Sequence, residues 1–270
     1  MRTTRKTVLV SGAAVLLAIG IAWTIMGRAQ GGQGGAAGPP PQRFVVAVTH
    51  IKPDMIGTYE DLIKNIANPA LKKAGVPWRW TWATVSGQGF TRISVTPVAN
   101  YAELDQPAPL QRGLGADGVA NYNAKLRQTI ESTHTYGVTL RQDLSIQSNS
   151  STPPAFAVIQ AFQVAPGKGD EFTKSMTADY LPNYKKAGVK DFWVYATNFG
   201  APGGQIVTVR PISKFAELDQ PGLLNRAGLS AEAAGQIGAR RAAIASVIDN
   251  EVQRFVADLS FGMPTVRATN

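Results

Sequence analysis

The chain has 270 residues, with 27 Lys and Arg against 18 Asp and Glu, two His and no Cys, and 44% of it is hydrophobic. The lack of cysteine excludes disulfides, thiolate metal sites and a lipid-modified N-terminal cysteine. Net charge is +9, but Arg2, Arg5, Lys6 and Arg28 supply four of that with no acid among them, and the remaining +5 is scattered, which argues against nucleic-acid binding.

Residues 8–26 form an uncharged apolar run behind Arg2, Arg5 and Lys6, and Gly27-Arg28-Ala29 offers the small residues a signal peptidase needs. Residues 1–29 therefore read as a signal peptide, and the chain as exported to the periplasm or beyond. Nineteen apolar residues also suffice to span a bilayer, so an uncleaved anchor tethering the chain to the inner membrane through residues 8–26 is the alternative. Residues 30–43, rich in Gly and Pro, make a disordered leader.

A β-branched strand over 44–50 ends at Lys52-Pro53-Asp54. Met55, Tyr59, Leu62, Ile63, Ile66 and Ala70 then recur at helical spacing, until Gly75 stops the helix. Pro69 should kink or break it about one and a half turns before its end. A strand over 78–85 alternates Trp78, Trp80 and Trp82 against Arg79, Thr81 and Ala83, turns at Gly87-Gln88-Gly89, and returns over 90–97. A connection carrying Tyr101-Ala102-Glu103-Leu104-Asp105-Gln106-Pro107 leads to a second helix over 117–132, and a last strand ends near Ile146. Within that connection, Tyr101 and Leu104 are expected to plug the core.

The same order then repeats. Lys72-Lys73-Ala74-Gly75-Val76 returns as Lys185-Lys186-Ala187-Gly188-Val189. The segment from Tyr101 to Pro107 returns as Phe215-Ala216-Glu217-Leu218-Asp219-Gln220-Pro221, and Asp143-Leu144-Ser145 returns as Asp258-Leu259-Ser260. The expected organisation is a ferredoxin-like β-α-β-β-α-β repeat over 44–146, a linker over 147–155, a second repeat over 156–262 and a tail over 263–270. In the second repeat Pro182 matches Pro69, and the last helix is expected over 232–247. The fold class is α+β, with the two tandem repeats packed sheet to sheet as an internal pseudo-dimer.

This duplication resembles the dimeric α/β-barrel superfamily, the group that includes antibiotic-biosynthesis-type monooxygenases. The resemblance rests on topology and covers both repeats. It implies small-molecule chemistry, either without a cofactor or, in haem-binding relatives, with a histidine as axial ligand. No cofactor is expected from the residues themselves, and no His/Asp/Glu grouping has metal-ligand spacing.

Trp80 and Trp82, with Trp193 and Tyr195 at the matching places of the second repeat, could form an aromatic wall for a flat apolar ligand. On the return strands Arg92 and Arg210 would orient its polar end. His50 aligns with Phe162, and His134 with Asp249; either histidine could act as a base. The leading reading is an exported protein that binds a small apolar or aromatic molecule in a cleft of the sheet faces. A cofactor-free monooxygenase or proton-transfer enzyme is the alternative, and a structural or interaction protein of the envelope is the third. Oligomerisation is left open.

Overall fold

The computed structural model describes residues 42–148 and 152–262. The signal or anchor run, the leader up to residue 41, part of the linker and the tail 263–270 lie outside the described residues.

The first half comprises β1 (Arg43–Ile51), α1 (Ile56–Leu62), α2 (Asn68–Lys73), β2 (Trp80–Ser86), β3 (Thr91–Val98), α3 (Pro109–Thr129) and β4 (Ile130–Leu140). The second comprises β5 (Phe156–Val164), α4 (Gly169–Ser175), α5 (Leu181–Lys186), β6 (Trp193–Phe199), β7 (Gln205–Ile212), α6 (Leu223–Arg226), α7 (Ala231–Ala242) and β8 (Ala245–Phe255). All eight strands form one closed barrel in the order β1-β3-β2-β8-β5-β7-β6-β4. The order β4-β1-β3-β2 within the first half recurs as β8-β5-β7-β6 in the second.

The halves join by hydrogen-bonded edges rather than as two stacked sheets. β2 pairs with β8 (Trp82↔Phe255) and β4 with β6 (Leu140↔Tyr195), all antiparallel. The 11-residue β4 and β8 each reach out to the other half, and closure leaves no edge unpaired. These strands begin earlier than the sequence suggests. The helices expected over 117–132 and 232–247 stop at Thr129 and Ala242, because Ile130, Thr133, Val247 and Ile248 are β-branched and enter the barrel wall.

Pro69 and Pro182 do not break their helices. Just before each proline the backbone widens into a π-helical turn, Ile63–Ala67 and Met176–Tyr180. The Asn68 amide donates to the Ile63 carbonyl five residues back, and the Leu181 amide to that of Met176. The wider turn makes room for a ring that would otherwise strike the preceding turn, so the helix runs on. The shared Lys-Lys-Ala-Gly-Val segment closes both helices. Gly75 (φ 83°) and Gly188 (φ 81°) adopt left-handed backbone, and Val76 and Val189 donate back to the Leu71 and Tyr184 carbonyls.

The repeated Ala-Glu-Leu-Asp-Gln-Pro segment does not plug the core as its apolar residues suggest. Leu104, Phe215 and Leu218 are 47%, 40% and 41% exposed, and the segment forms a 3₁₀ turn on the surface. Glu217 accepts hydrogen bonds from the Ser213 amide and hydroxyl, which ties down the second copy of the turn.

Three apolar clusters result. Tyr59, Leu62, Ile63 and Tyr122 pack between the first helices and the outer barrel face, and Phe172, Met176 and Ile237 do so in the second half. Phe44, Val46, Trp78, Val138 and Leu140 form the third, inside the barrel. The second outer layer contains a buried cation: the Arg241 guanidinium lies 3.9 Å from the Phe162 ring centroid and 4.5 Å from that of Tyr180. Its Nε and Nη2 have no hydrogen-bond partner. The first repeat fills the matching place with Leu126, which packs on its own layer. Arg241→Leu is therefore expected to leave stability unchanged or to raise it by about 1 kcal/mol, since a buried charge with no ion pair among the described residues gives way to packing. A urea titration checks this, and a loss beyond 1 kcal/mol would show that the ring stack outweighs desolvation.

Candidate functional site

Strand register settles which side chains face inward. Trp80 lies opposite Val95, Trp82 opposite Ile93, Trp193 opposite Val209 and Tyr195 opposite Val207. Residues opposite one another share a sheet face, and this face is the barrel interior. This wall borders a cavity of about 2160 Å³ that also extends outside the barrel along the helices: Phe44, Trp78, Trp80, Trp82, Tyr136, Trp193 and Tyr195 line its inner part, and Leu71, Tyr122, Arg112 and Arg226 its outer part. The rings contact edge-on or tilted: Trp78 and Trp80 at 5.7 Å, Trp80 and Phe255 at 5.7 Å, Phe44 and Tyr195 at 5.8 Å. Within this wall the Trp80 Nε1 is buried and donates to nothing. Burial pushes the Tyr195 hydroxyl well above its ordinary pKa.

The two arginines are not brought to that wall. Arg92 lies opposite Ala83 and Arg210 opposite Val158, which places both on the outer, helix-covered face. Arg92 donates from Nη2 and Nε to the Glu60 carboxylate of α1, at 2.6 and 3.1 Å. Arg210 borders the large cavity together with Glu217 and Arg226, and burial lowers its pKa. A polar stripe on one sheet face is ambiguous from sequence; here it lies on the outer face, where Arg92 pairs with Glu60.

Both histidines face inward, at the opposite end of the barrel. They line a second cavity of about 280 Å³, together with Tyr136, Asp249, Glu251 and Gln253. The His50 Nδ1 is 2.9 Å from the Thr91 Oγ1, and the His134 ring lies 5.8 Å from that of Tyr136. His50 pairs with Thr91 as Gln163 pairs with Gln205, so its counterpart is Gln163 and not Phe162. Phe162 is one place out of register and therefore points into the helix layer. His134 and Asp249 do occupy matching places, opposite Val48 and Ala161.

β4 and β8 stand diametrically opposite in the barrel. Their inward faces have diverged: His134, Tyr136 and Val138 on one side meet Asp249, Glu251 and Gln253 on the other. Burial pushes the Tyr136 hydroxyl up to about 12, and the Asp249 and Glu251 carboxylates add to the rise. Tyr136, Ile93, Ile159 and Val207 line both cavities and so form the partition between them. Tyr136, Asp249, Glu251 and Gln253 are not evident as site residues from sequence. The available signal was the polar alternation Asp249, Glu251, Gln253, which only reads as strand once the preceding helix is ended at Ala242.

An eight-stranded α+β barrel with a cavity between its halves is the class this geometry defines. No protein-family model matches the chain, and no curated protein sequence matches it. Its structural neighbours are dimeric α/β-barrel proteins. An anthrone oxidase-like protein superposes with a TM-score of 0.55 at 14% identity, over 81% of this chain and 92% of that one. A putative monooxygenase from Lactobacillus acidophilus gives 0.51 at 9% identity, over 83% and 98%. Another from Fusobacterium nucleatum gives 0.50 at 13%, over 80% and 92%. At these identities the likeness is one of fold.

A haem with a histidine as axial ligand does not fit the residues here. An axial histidine would have to reach the large cavity, but both histidines of the chain line the 280 Å³ one, too small for a porphyrin. Burial keeps Tyr136 and Tyr195 protonated, which disfavours a phenolate ligand. Among the described residues no group of three or more His, Asp or Glu could hold a metal ion.

Proposed function

We propose that this chain binds a flat, mostly apolar aromatic molecule bearing a hydrogen-bond-accepting oxygen, inside the large barrel cavity. The observation that carries this reading is the Trp80 indole, whose buried Nε1 has no acceptor although it lies in an aromatic wall. A buried N–H without a partner costs about 1–3 kcal/mol, which a ligand carbonyl or phenolic oxygen would recover. The surrounding rings supply sequence-tolerant apolar contact to a planar body.

Four of the five tryptophans line this cavity, so their fluorescence reports on its occupancy. Titration with anthraquinone, a planar ketone, should quench it saturably, and anthracene of the same shape should bind about tenfold more weakly, since it offers Trp80 no acceptor. Equal affinity for the two would remove the assigned role of the indole. No quenching by either would remove the reading.

A second reading, cofactor-free oxygenation of such a ligand, is favoured by one placement: both histidines point into the barrel, behind a tyrosine that borders the ligand cavity. For a substrate such as an anthrone in the large cavity, the histidines, which line only the small one, take the ring-methylene proton through the hydroxyl of Tyr136, which lines both. Dioxygen then delivers one oxygen atom to that carbon, which becomes a carbonyl, and the other leaves with the two hydrogens as water. The double variant His50→Ala, His134→Ala should slow dioxygen uptake with anthrone at least about a hundredfold. Uptake at the parental rate would exclude these histidines as the base.

The repeated segments and the repeated strand order support an origin by duplication of a ferredoxin-like unit. The N-terminal apolar run supports export, with residues 8–26 as either signal or tether.

A further inference from the structure

The small cavity at the histidine end has a chemistry of its own. Asp249 and Glu251 both line it, neither forms an ion pair among the described residues, and no Lys or Arg lines it. This is unexpected in a chain of net charge +9. Glu251 is buried and oriented: its carboxylate accepts from the Thr84 hydroxyl at 3.2 Å, the Gln88 amide at 3.2 Å and the Gln253 Nε2 at 3.0 Å. Gln253 is fully buried, and because its Nε2 is committed to Glu251, the orientation of its amide is set. Its Oε1 receives no hydrogen bond. A buried acceptor without a donor, beside the buried Glu251 and the exposed Asp249 carboxylates, neither in an ion pair among the described residues, is a site in want of a positively charged hydrogen-bond donor.

We propose that this cavity binds the protonated form of a small primary alkylamine. An ammonium group carries three donors and no acceptor, which suits the Gln253 Oε1 and the Glu251 and Asp249 carboxylates. Ile93, Ile159, Ala161 and Val207 supply an apolar wall for its alkyl chain. A divalent metal is a poorer match, since no cluster with ligand geometry occurs among the described residues. The site is separate from the aromatic cavity and does not depend on what that one holds.

The empty state supports this assignment. Burial, followed by the nearby Glu251 charge, raises the Asp249 pKa in the folded chain. The charged carboxylate therefore opposes folding above the unfolded pKa, most fully at neutral pH, and the opposition is relieved as pH falls through the folded value. A bound ammonium would relieve it at neutral pH.

The test uses the purified full chain with ¹³C-labelled histidine, whose only two imidazoles, His50 and His134, both line the cavity. Titration with n-butylammonium chloride at neutral pH should shift both resonances saturably. Tetramethylammonium, which has the charge but no N–H donor, should not. Asp249→Asn should weaken butylammonium about tenfold and yet raise the Tm of the empty chain by about 1–2 °C. A residue with a merely structural role would not move those two readouts in opposite directions. Gln253→Met, close to isosteric, should also weaken binding about tenfold; if it fails to fold, the exposed rim position Asp249 still decides. Equal shifts with tetramethylammonium or with KCl at matched ionic strength would overturn the proposal as a bulk salt effect. Saturation by Zn²⁺ or Mg²⁺ with none by butylammonium would overturn it in favour of a metal site. Unchanged affinity in Asp249→Asn would overturn the placement.

Discussion

Replacing Trp80 and Trp193 together by Leu is expected to lower the affinity for a planar aromatic ketone by a factor of about a hundred or more. Aromatic anchors buried in a binding pocket each contribute about 2 kcal/mol or more, and these two line the cavity from different halves of the barrel. Trp80→Phe separates the two contributions of the indole. It retains an aromatic face but removes the unpartnered Nε1, so affinity for anthraquinone should drop about tenfold while that for anthracene stays nearly constant. The free protein should lose little stability, because both side chains are only partly buried and already border open space. Anthraquinone binding at parental strength in the double variant would show that the ligand, if any, sits elsewhere.

Gly113→Ala should have the largest effect on stability, a loss of about 3 kcal/mol, or about 6–12 °C in Tm for a chain of this size. A Cβ at Gly113 would run into the Ala70 carbonyl oxygen and lie 2.9 Å from the Ala70 Cα. These are backbone atoms of α2, against which α3 packs, so no side-chain rotation can relieve the clash. The second repeat carries Ala227, 1% exposed, at the matching place, which shows that the approach between helices is closer in the first half. The reverse change, Ala227→Gly, should cost only about 1 kcal/mol through backbone entropy. Thermal melts of the two variants compare the repeats directly, and a Gly113→Ala melt at the parental temperature would show that the helices separate without cost.

Much of the fold was legible because its signals are local. Alternation placed Trp80 and Trp82 on one strand face, and the two Lys-Lys-Ala-Gly-Val segments marked helix ends that do close on left-handed glycines. Where local signals were ambiguous, the reading erred. Val247 and Ile248 fit the end of a helical stripe as well as the start of a strand, and choosing the helix hid the inward series Asp249, Glu251, Gln253. Arg92 and Arg210 lie on strands whose two faces are both covered, so polarity alone could not say which face they take.

The sequence by itself determined the repeated segments, the α+β class, the aromatic content of one strand face and the absence of any thiol chemistry, since each depends on residue identity and short-range period. The tertiary structure alone decided that the two halves close one barrel, that Arg92 pairs with Glu60 outside it, and that His50, His134, Asp249 and Glu251 share one mouth. Those outcomes depend on the pairing of β2 with β8 and of β4 with β6, between strands far apart in the chain. A shift of one residue in that register would turn every inward side chain outward.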